Sequence, residues 1–185
     1  MKSLILASAS PRRHELLTLL DIPFTPYSTD IDETIPQSFS PVEAVQHLAL
    51  KKAQAAMLMH PSSLIIGCDT IVVHNGNILG KPLDRADAYN MLTQLSDDTH
   101  AVYTGVSILS EEMQKCFYVR TDVTFWKLTQ QDIETYIDTS EPFDKAGSYG
   151  IQGKAALFVK EIKGDYYNVV GLPISRLARE IQSFL

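Results

Sequence analysis

Residues 64–73 read LIIGCDTIVV, an apolar run that carries one carboxylate, Asp69, near its centre. A run of this length and composition predicts a buried strand. A buried charge without a partner is strongly unfavourable, so Asp69 requires a metal ion, a lysine or an attacking water beside it. A positioned carboxylate is a standard general base, and the alternative is a structural aspartate that accepts backbone N–H groups. Alternation along the strand places Thr70 on the side opposite Asp69.

A tight hairpin is predicted to follow this strand, because Asn75-Gly76 is the preferred dipeptide of a type I′ turn. Helices are predicted from their start signals at Ser10-Pro11, Ser40-Pro41, Asp84, Thr129 and Pro173. Strands are predicted over residues 2–8, 100–109 and 116–127, and a second hairpin from residues 157–162 and 166–170. This mixture predicts an α/β fold, with a mixed twisted sheet, flanking helices and two lobes around a cleft. No repeat or linker interrupts the chain, so residues 1–185 are expected to form one domain.

The composition is that of an ordinary soluble globular protein, with a hydrophobic share of 45%. The net charge of -6 argues against a large nucleic-acid footprint, so an anionic substrate must meet a local basic cluster. No run approaches the roughly 18 apolar residues that span a bilayer, and the first residues lack a signal-peptide layout. We therefore expect no membrane partner and a cytoplasmic location. Cys68 and Cys116 lie in apolar segments without metal-ligand spacing and are expected to be core residues.

Two arginines lie where helix electrostatics disfavour them. The helix that begins after Ser10-Pro11 has Arg12 and Arg13 in its first turn, where the helix dipole favours acidic residues. A bound anion would reverse the sign of this effect, because free N–H groups and two guanidinium groups would then bind it, and Ser8 could add a hydroxyl. The pattern indicates a phosphate site, and the alternative is a pair of solvated arginines on a surface helix.

Two lysines are further candidates for phosphate binding. Lys52 lies in the middle of an apolar helix face, which consists of Val45, Leu48, Ala49, Ala56 and Met59. A lysine is rarely placed toward a core unless its ammonium reaches a cleft or an anion, so Lys52 is a candidate triphosphate ligand; a lysine at the rim of the face is the alternative. Lys81 follows a glycine at the end of the hairpin, where its ammonium could reach a phosphate or remain solvated.

An acidic cluster in a predicted loop consists of Asp30, Asp32 and Glu33. Its oxygen ligands suit magnesium or manganese. The alternative is an ordinary solvated loop.

Six segments of the chain carry a family resemblance. They are residues 6–13 (LASASPRR), 50–54 (LKKAQ), 69–70 (DT), 80–82 (GKP), 144–153 (DKAGSYGIQG) and 169–173 (VVGLP). Together they resemble the Maf family of nucleotide pyrophosphatases over nearly the whole chain. The resemblance implies an elongated, two-lobed fold similar to that of inosine triphosphate pyrophosphatases, with a central cleft, a divalent metal (Mg or Mn) and a homodimer.

The resemblance also implies roles for individual residues. Asp69 matches the proton acceptor and Glu33 an acidic site residue, and these two are the expected metal ligands. The residues that match the triphosphate site are Ser8, Arg13, Lys52 and Lys81. The residues that match the markers of the dTTP/UTP branch are Arg12, Thr70 and Gln152; a sister branch that acts on 7-methyl-GTP has Trp, Gln and Glu at these places.

The expected reaction is hydrolysis of dTTP and UTP, or modified pyrimidine triphosphates, to the monophosphate and pyrophosphate, as house-cleaning of nucleotide pools. Asp69, directly or through the metal, would deprotonate a water that attacks the α-phosphorus. Two other hypotheses remain: a pyrophosphatase for 7-methyl-GTP or a damaged nucleotide, and a nucleotide-binding regulator of septum formation. The branch markers Arg12, Thr70 and Gln152 argue against the first. Asp69 and the basic cluster favour catalysis over the second.

Overall fold

The computed structural model describes residues 3–185. The strands are β1 (Leu4–Ala7), β2 (Phe24–Pro26), β3 (Leu64–His74), β4 (Asn77–Leu79), β5 (Thr99–Leu109), β6 (Gln114–Phe125) and β7 (Val159–Lys163). The α-helices are α1 (Pro11–Thr18), α2 (Pro41–Met59), α3 (Arg85–Leu95), α4 (Gln130–Ile137), α5 (Tyr166–Val170) and α6 (Ile174–Glu180). Short 3-10 turns cover Glu141–Asp144, Ala146–Ser148, Lys154–Phe158 and Ile181–Phe184. Within the described range no helix is long and apolar enough to cross a membrane.

The strands form one mixed sheet, which confirms the predicted α/β class. Their order is β2-β1-β3-β5-β6-β7, and β4 pairs with β3 outside this path. β1 is parallel to both β2 and β3, with Ala7 opposite Gly67. β4 is antiparallel to β3, and β7 is antiparallel to β6. Asn75 and Gly76 both have positive φ, at 50° and 80°, as the predicted type I′ turn between β3 and β4 requires.

The described residues divide into two compact units. The first contains the described residues up to Thr70 together with Thr104–Val119 and Gly171–Leu185, and the second contains Ile71–Tyr103 and Arg120–Val170. The strands β3, β5 and β6 contribute residues to both units. The single domain and the cleft expected from the sequence stay predictions.

In the first unit, helix α2 packs directly on the backbone of two strands. A Cβ added to Gly67 of β3 would lie 2.1 Å from the carbonyl oxygen of Ala49, and one added to Gly105 of β5 would lie 2.3 Å from that of Val45. Neither glycine has a positive φ, so the missing side chain, rather than an unusual backbone conformation, explains both positions. The two glycines let the helix approach the sheet more closely than any side chain would allow.

The second unit is organised around a cluster of aromatic rings. Phe125 is fully buried, and its ring contacts those of His100, Tyr149 and Phe158 in edge-to-face arrangements. The Nε2 atom of His100 lies 2.7 Å from the Tyr149 hydroxyl. Burial lowers the pKa of His100 from 6.5 to about 4 and raises the pKa of Tyr149, so both groups are uncharged near neutral pH.

The prediction of a strand over residues 166–170 is wrong, because these residues form the short helix α5. The amide of Tyr167 donates to Asp165 Oδ1 at the start of this helix. The buried side-chain amide of Asn168 donates to Thr121 Oγ1 at 3.0 Å, and the Thr121 hydroxyl donates to the backbone carbonyl of Asp165. These tertiary hydrogen bonds outweigh the strand propensity of the tyrosines and valines.

Two smaller features also differ from the sequence expectations. The strand β2 lies beside β1 and was not predicted, because three residues carry no measurable periodicity. Met59, placed by its period on the buried face of α2, is 65% exposed because the helix ends there.

The buried imidazole of His100 predicts a dependence of stability on pH. The folded protein binds this proton less readily than the unfolded chain, so the stabilising contribution is complete above about pH 6.5 and is lost progressively toward about pH 4. We expect this group to lower the free energy of unfolding by about 3 kcal/mol between about pH 7 and pH 4. Denaturant unfolding of the wild type and of His100→Gln across this range measures the difference. Parallel curves for the two proteins would contradict the assignment.

Candidate active site

Lys52 of α2 joins two carboxylates in the first unit. Its Nζ lies 2.6 Å from Asp69 Oδ1 and 2.8 Å from Glu33 Oε1. The side chains of Lys52 and Asp69 are each only 11% exposed, whereas that of Glu33 is 54% exposed. Asp69 therefore has the charged partner that its place in an apolar strand requires, and that partner is a lysine.

The pKa of Lys52 reflects a competition between burial and ion pairing. Burial lowers it, but the negative charge of Asp69 and the hydrogen bonds from Lys52 to Asp69 and Glu33 outweigh burial, so the net pKa lies above the usual value. Arg13 contributes a smaller, opposing repulsion. Lys52 is consequently a permanent cation at neutral pH and holds positive charge beside Asp69.

The fold supplies this contact through the close packing of α2. Gly67 lies two residues before Asp69, so both face the helix, and a Cβ on Gly67 would lie 2.9 Å from that of Ala53. Lys52 directly precedes Ala53. The acidic loop is held at the same helix by the next lysine, because the Nζ of Lys51 donates to the backbone carbonyl of Asp32.

The guanidinium of Arg13 is held by four hydrogen bonds. Its Nε donates to the carbonyl of Gly171 at 2.8 Å, and its Nη2 donates to Thr70 Oγ1 at 2.9 Å. Its Nη1 donates to the carbonyl of Cys68 at 3.0 Å and to Ser8 Oγ at 3.3 Å. A guanidinium has five N–H groups, so one remains for a ligand.

Thr70 contributes to this arrangement on the side of β3 opposite Asp69, as alternation predicts. Its Oγ1 accepts from Arg13 and lies 2.9 Å from Thr104 Oγ1 on the neighbouring strand β5. A hydroxyl has one proton and two lone pairs, so these two contacts leave Thr70 a single hydrogen-bonding position for a substrate.

The start of α1 has the features of an anion-binding site, as the sequence predicts. Ser10 occupies the N-cap position but its side chain makes no capping hydrogen bond. Ser8 Oγ accepts from the Ser10 amide at 3.2 Å as well as from Arg13, which leaves its own proton to donate. The Nε of Arg12 is buried without a partner among residues 3–185. Free helix N–H groups and a positive dipole end favour a phosphate here.

Lys81 and Gln152 lie in the second unit, and both are exposed. Their segments meet there, because the amide of Gly147 donates to the carbonyl of Gly80 at 3.0 Å. Of the nine predicted site residues, the second unit contains Lys81 and Gln152, and the first contains the other seven: Ser8, Arg12, Arg13, Glu33, Lys52, Asp69 and Thr70. The roles of all nine residues stay predictions.

Comparison with known proteins identifies the family of the chain. A family model described as "Maf-like protein" matches residues 3–184. The chain belongs to the Maf family. A dTTP/UTP pyrophosphatase of Bacillus cytotoxicus is 55% identical to this Maf chain over 184 residues, which cover 100% of the chain and 96% of the relative. A dTTP/UTP pyrophosphatase of Bacillus mycoides is 53% identical with the same coverage. The predicted family resemblance is confirmed.

Solved structures support the fold of this Maf chain. The Ham1 protein of Staphylococcus aureus superposes with a TM-score of 0.55 at 13% identity, covering 100% of both chains. At this identity the likeness concerns the fold alone.

Sequence reasoning missed two residues of the Arg13 arrangement in this Maf chain. Thr104 lies in a strand among other polar and apolar residues, and no local pattern distinguishes it. Gly171 has a φ of +122°, which side chains rarely adopt, and a Cβ there would lie 3.4 Å from Arg13 Nε. The signal available for Gly171 was the segment VVGLP, whose glycine precedes a predicted helix start.

The packing of α2 predicts that Gly67→Ala uncouples Lys52 from Asp69. The new methyl group would meet backbone atoms of the helix at 2.1 Å and 2.8 Å, so the helix must move outward. We expect a loss of about 1–3 kcal/mol in unfolding free energy, the usual scale of overpacking, together with a fall in kcat. Gly80→Ala is the matched control for stability, because a Cβ there has nothing within 4 Å. Equal stability of the two variants would contradict this account of the helix.

Proposed function

We propose that this chain hydrolyses dTTP and UTP to the nucleoside monophosphate and pyrophosphate. The observation that carries the proposal is the buried pair of Asp69 and Lys52, which places a general base and a permanent cation side by side. Membership of the Maf family and full-length relatives named dTTP/UTP pyrophosphatase support the substrate class.

Asp69 takes the proton of the attacking water. Its Oδ1 is bonded to Lys52, so Oδ2 is the oxygen that we assign to the water. The ammonium of Lys52 neutralises negative charge on the phosphates during the reaction. Water attacks the α-phosphorus, the bond from that phosphorus to the bridging oxygen breaks, and pyrophosphate leaves. The reaction needs no covalent enzyme intermediate.

Asp69 and Glu33 form a donor set that fits a divalent cation. Among residues 3–185, no group of three or more His, Cys, Asp or Glu side chains is placed to hold a metal ion. Two carboxylates that bond to one ammonium nevertheless suit magnesium or manganese, which often bind one or two carboxylates and complete their shell with water and substrate phosphates. Such an ion would neutralise charge on the phosphate oxygens.

The phosphates bind at the start of α1. Three kinds of donor can bond to a phosphate there without a change of structure: the unpaired N–H groups of the helix, the Ser8 hydroxyl and the remaining N–H of Arg13. Arg12 and Lys81 add positive charge, Arg12 with an Nε that lacks a partner in the described chain. We assign Ser8, Arg13, Lys52 and Lys81 to the triphosphate.

Base selection rests on Arg12, Thr70 and Gln152. Thr70 has one hydrogen-bonding position left for the substrate after its contacts with Arg13 and Thr104, a proton or a lone pair according to which threonine donates to the other. Gln152 offers both a donor and an acceptor from an exposed loop.

We further propose that the protein is a homodimer and is cytoplasmic. Its two cysteines are unpaired, as is usual in a reducing compartment.

The proposal predicts that Asp69→Asn lowers kcat for dTTP by about a hundredfold or more, because an amide cannot accept the proton of the water. Release of pyrophosphate measures turnover, and thermal unfolding checks the fold. Glu111→Gln, which changes an exposed carboxylate between β5 and β6, is the control and should keep wild-type turnover. A folded Asp69→Asn variant with near-normal kcat would remove Asp69 from the reaction.

The proposed base selection predicts how Gln152→Glu changes kcat/KM for different nucleotides. Each polar group that loses its partner costs roughly 1–3 kcal/mol, so two mismatches give the wild type a preference on the order of a hundredfold for dTTP and UTP over purine triphosphates. In Gln152→Glu this preference should fall through lower kcat/KM for dTTP and UTP alone. Measured kcat/KM for dTTP, UTP, CTP, GTP and 7-methyl-GTP tests both statements. Equal wild-type values for dTTP and GTP would overturn the pyrimidine assignment.

A further inference from the structure

The position of the Arg13 guanidinium depends on the four groups that accept its hydrogen bonds. Two of its four acceptors are backbone carbonyls, those of Gly171 and Cys68, and the third, Ser8 Oγ, is a hydroxyl that also accepts from the Ser10 amide. The fourth, Thr70 Oγ1, is a hydroxyl at the end of a rotatable side chain. Like Ser8 Oγ, this acceptor needs a further group to keep it in place.

Thr104 is that group. It is fully buried on β5, and its Oγ1 lies 2.9 Å from Thr70 Oγ1 on the adjacent strand. Its neighbour Gly105 faces α2, so alternation places Thr104 on the opposite face of the sheet, with Thr70 and Arg13. A hydroxyl pair between central strands with one fully buried member has little freedom to rotate, and Thr70 Oγ1 lies 2.9 Å from Arg13 Nη2.

We propose that Thr104 is a positioning residue, which acts through Thr70 to fix the guanidinium of Arg13 and the one N–H that remains for a phosphate of the substrate. This inference rests on the proposed function, because it assigns that N–H to the triphosphate. A fixed donor stabilises charge that grows on the leaving pyrophosphate without reorganisation during the reaction. Loss of the Thr104 hydroxyl should therefore affect kcat more than KM.

The test compares Thr104→Val, which keeps the shape and removes the hydroxyl, with Thr104→Ser, which keeps the hydroxyl. We expect Thr104→Val to lower kcat for dTTP by about five- to tenfold, the scale of one hydrogen bond, with KM nearly unchanged. Thr104→Ser should restore most of the rate. Thr104→Cys, of similar size with a weak donor, repeats the test if the valine variant does not fold. Equal losses in the serine and valine variants would assign Thr104 to packing and overturn the proposal.

A matched control and a double variant separate positioning from general strand stability. Thr99→Val removes a similar bond, between Thr99 Oγ1 and Thr124 Oγ1 at 2.8 Å, from the same strand. It should leave kcat and KM unchanged. If Thr104 acts through Thr70, Thr70→Val combined with Thr104→Val should be no slower than Thr70→Val alone. Additive losses would contradict the proposed route.

Nuclear magnetic resonance of the arginine side chains tests the positioning without turnover. In the wild type the Arg13 guanidinium should give resolved, slowly exchanging Nη protons, assigned by their absence in Arg13→Lys. In Thr104→Val the Nη2 protons should exchange faster, and in Thr104→Ser they should remain slow. Unchanged Arg13 signals in Thr104→Val would overturn the proposal, even if dTTP is hydrolysed. Slow wild-type signals that are lost in Thr104→Val would support it, even if dTTP is not hydrolysed, and the proposed function alone would then fail.

Discussion

The contact between α2 and the backbone of β3 and β5 is the constraint on which the site depends. Gly67 and Gly105 remove the side chains that would hold the helix away from the sheet. At this separation the ammonium of Lys52 reaches Asp69 inside an otherwise apolar strand. A buried carboxylate left without that cation would be strongly destabilising, so the same packing provides stability and places charge for chemistry.

The strand β3 separates two functions by the alternation of its side chains. Asp69 faces α2, with Lys52 and Glu33. Thr70 faces the other way, toward Arg13 and Thr104. In the proposed reaction the first face carries the groups for proton transfer and charge neutralisation, and the second holds a guanidinium and presents one hydroxyl position. The adjacent residues Asp69 and Thr70 thus do not compete for partners.

Much of the fold could be predicted because its signals are local. The capping boxes at Ser40 and Thr129 are both present, and the Asn75-Gly76 turn has the expected geometry. The segment 166–170 could not be predicted, because tertiary hydrogen bonds of Asn168 decide its conformation.

The residues of the candidate site could likewise be predicted only where a local sequence pattern marks them. Asp69 and Lys52 were identifiable because each violates a local pattern. Asp69 is a charged residue in an apolar strand, and Lys52 is a cation on an apolar helix face. The sequence left the partner of Asp69 open among a metal, a lysine and a water, and the structure shows the lysine. Thr104 violates no pattern, since a buried threonine in a strand is ordinary. Its importance comes from a cross-strand contact that only the sheet order β3-β5 creates.

Hydrolysis of dTTP in water enriched in ¹⁸O tests the central claim most directly, because it locates the bond that the water forms. If Asp69 directs water to the α-phosphorus, mass spectrometry will find one ¹⁸O in thymidine monophosphate and none in pyrophosphate. Label in pyrophosphate, or release of orthophosphate with dTDP, would contradict the account.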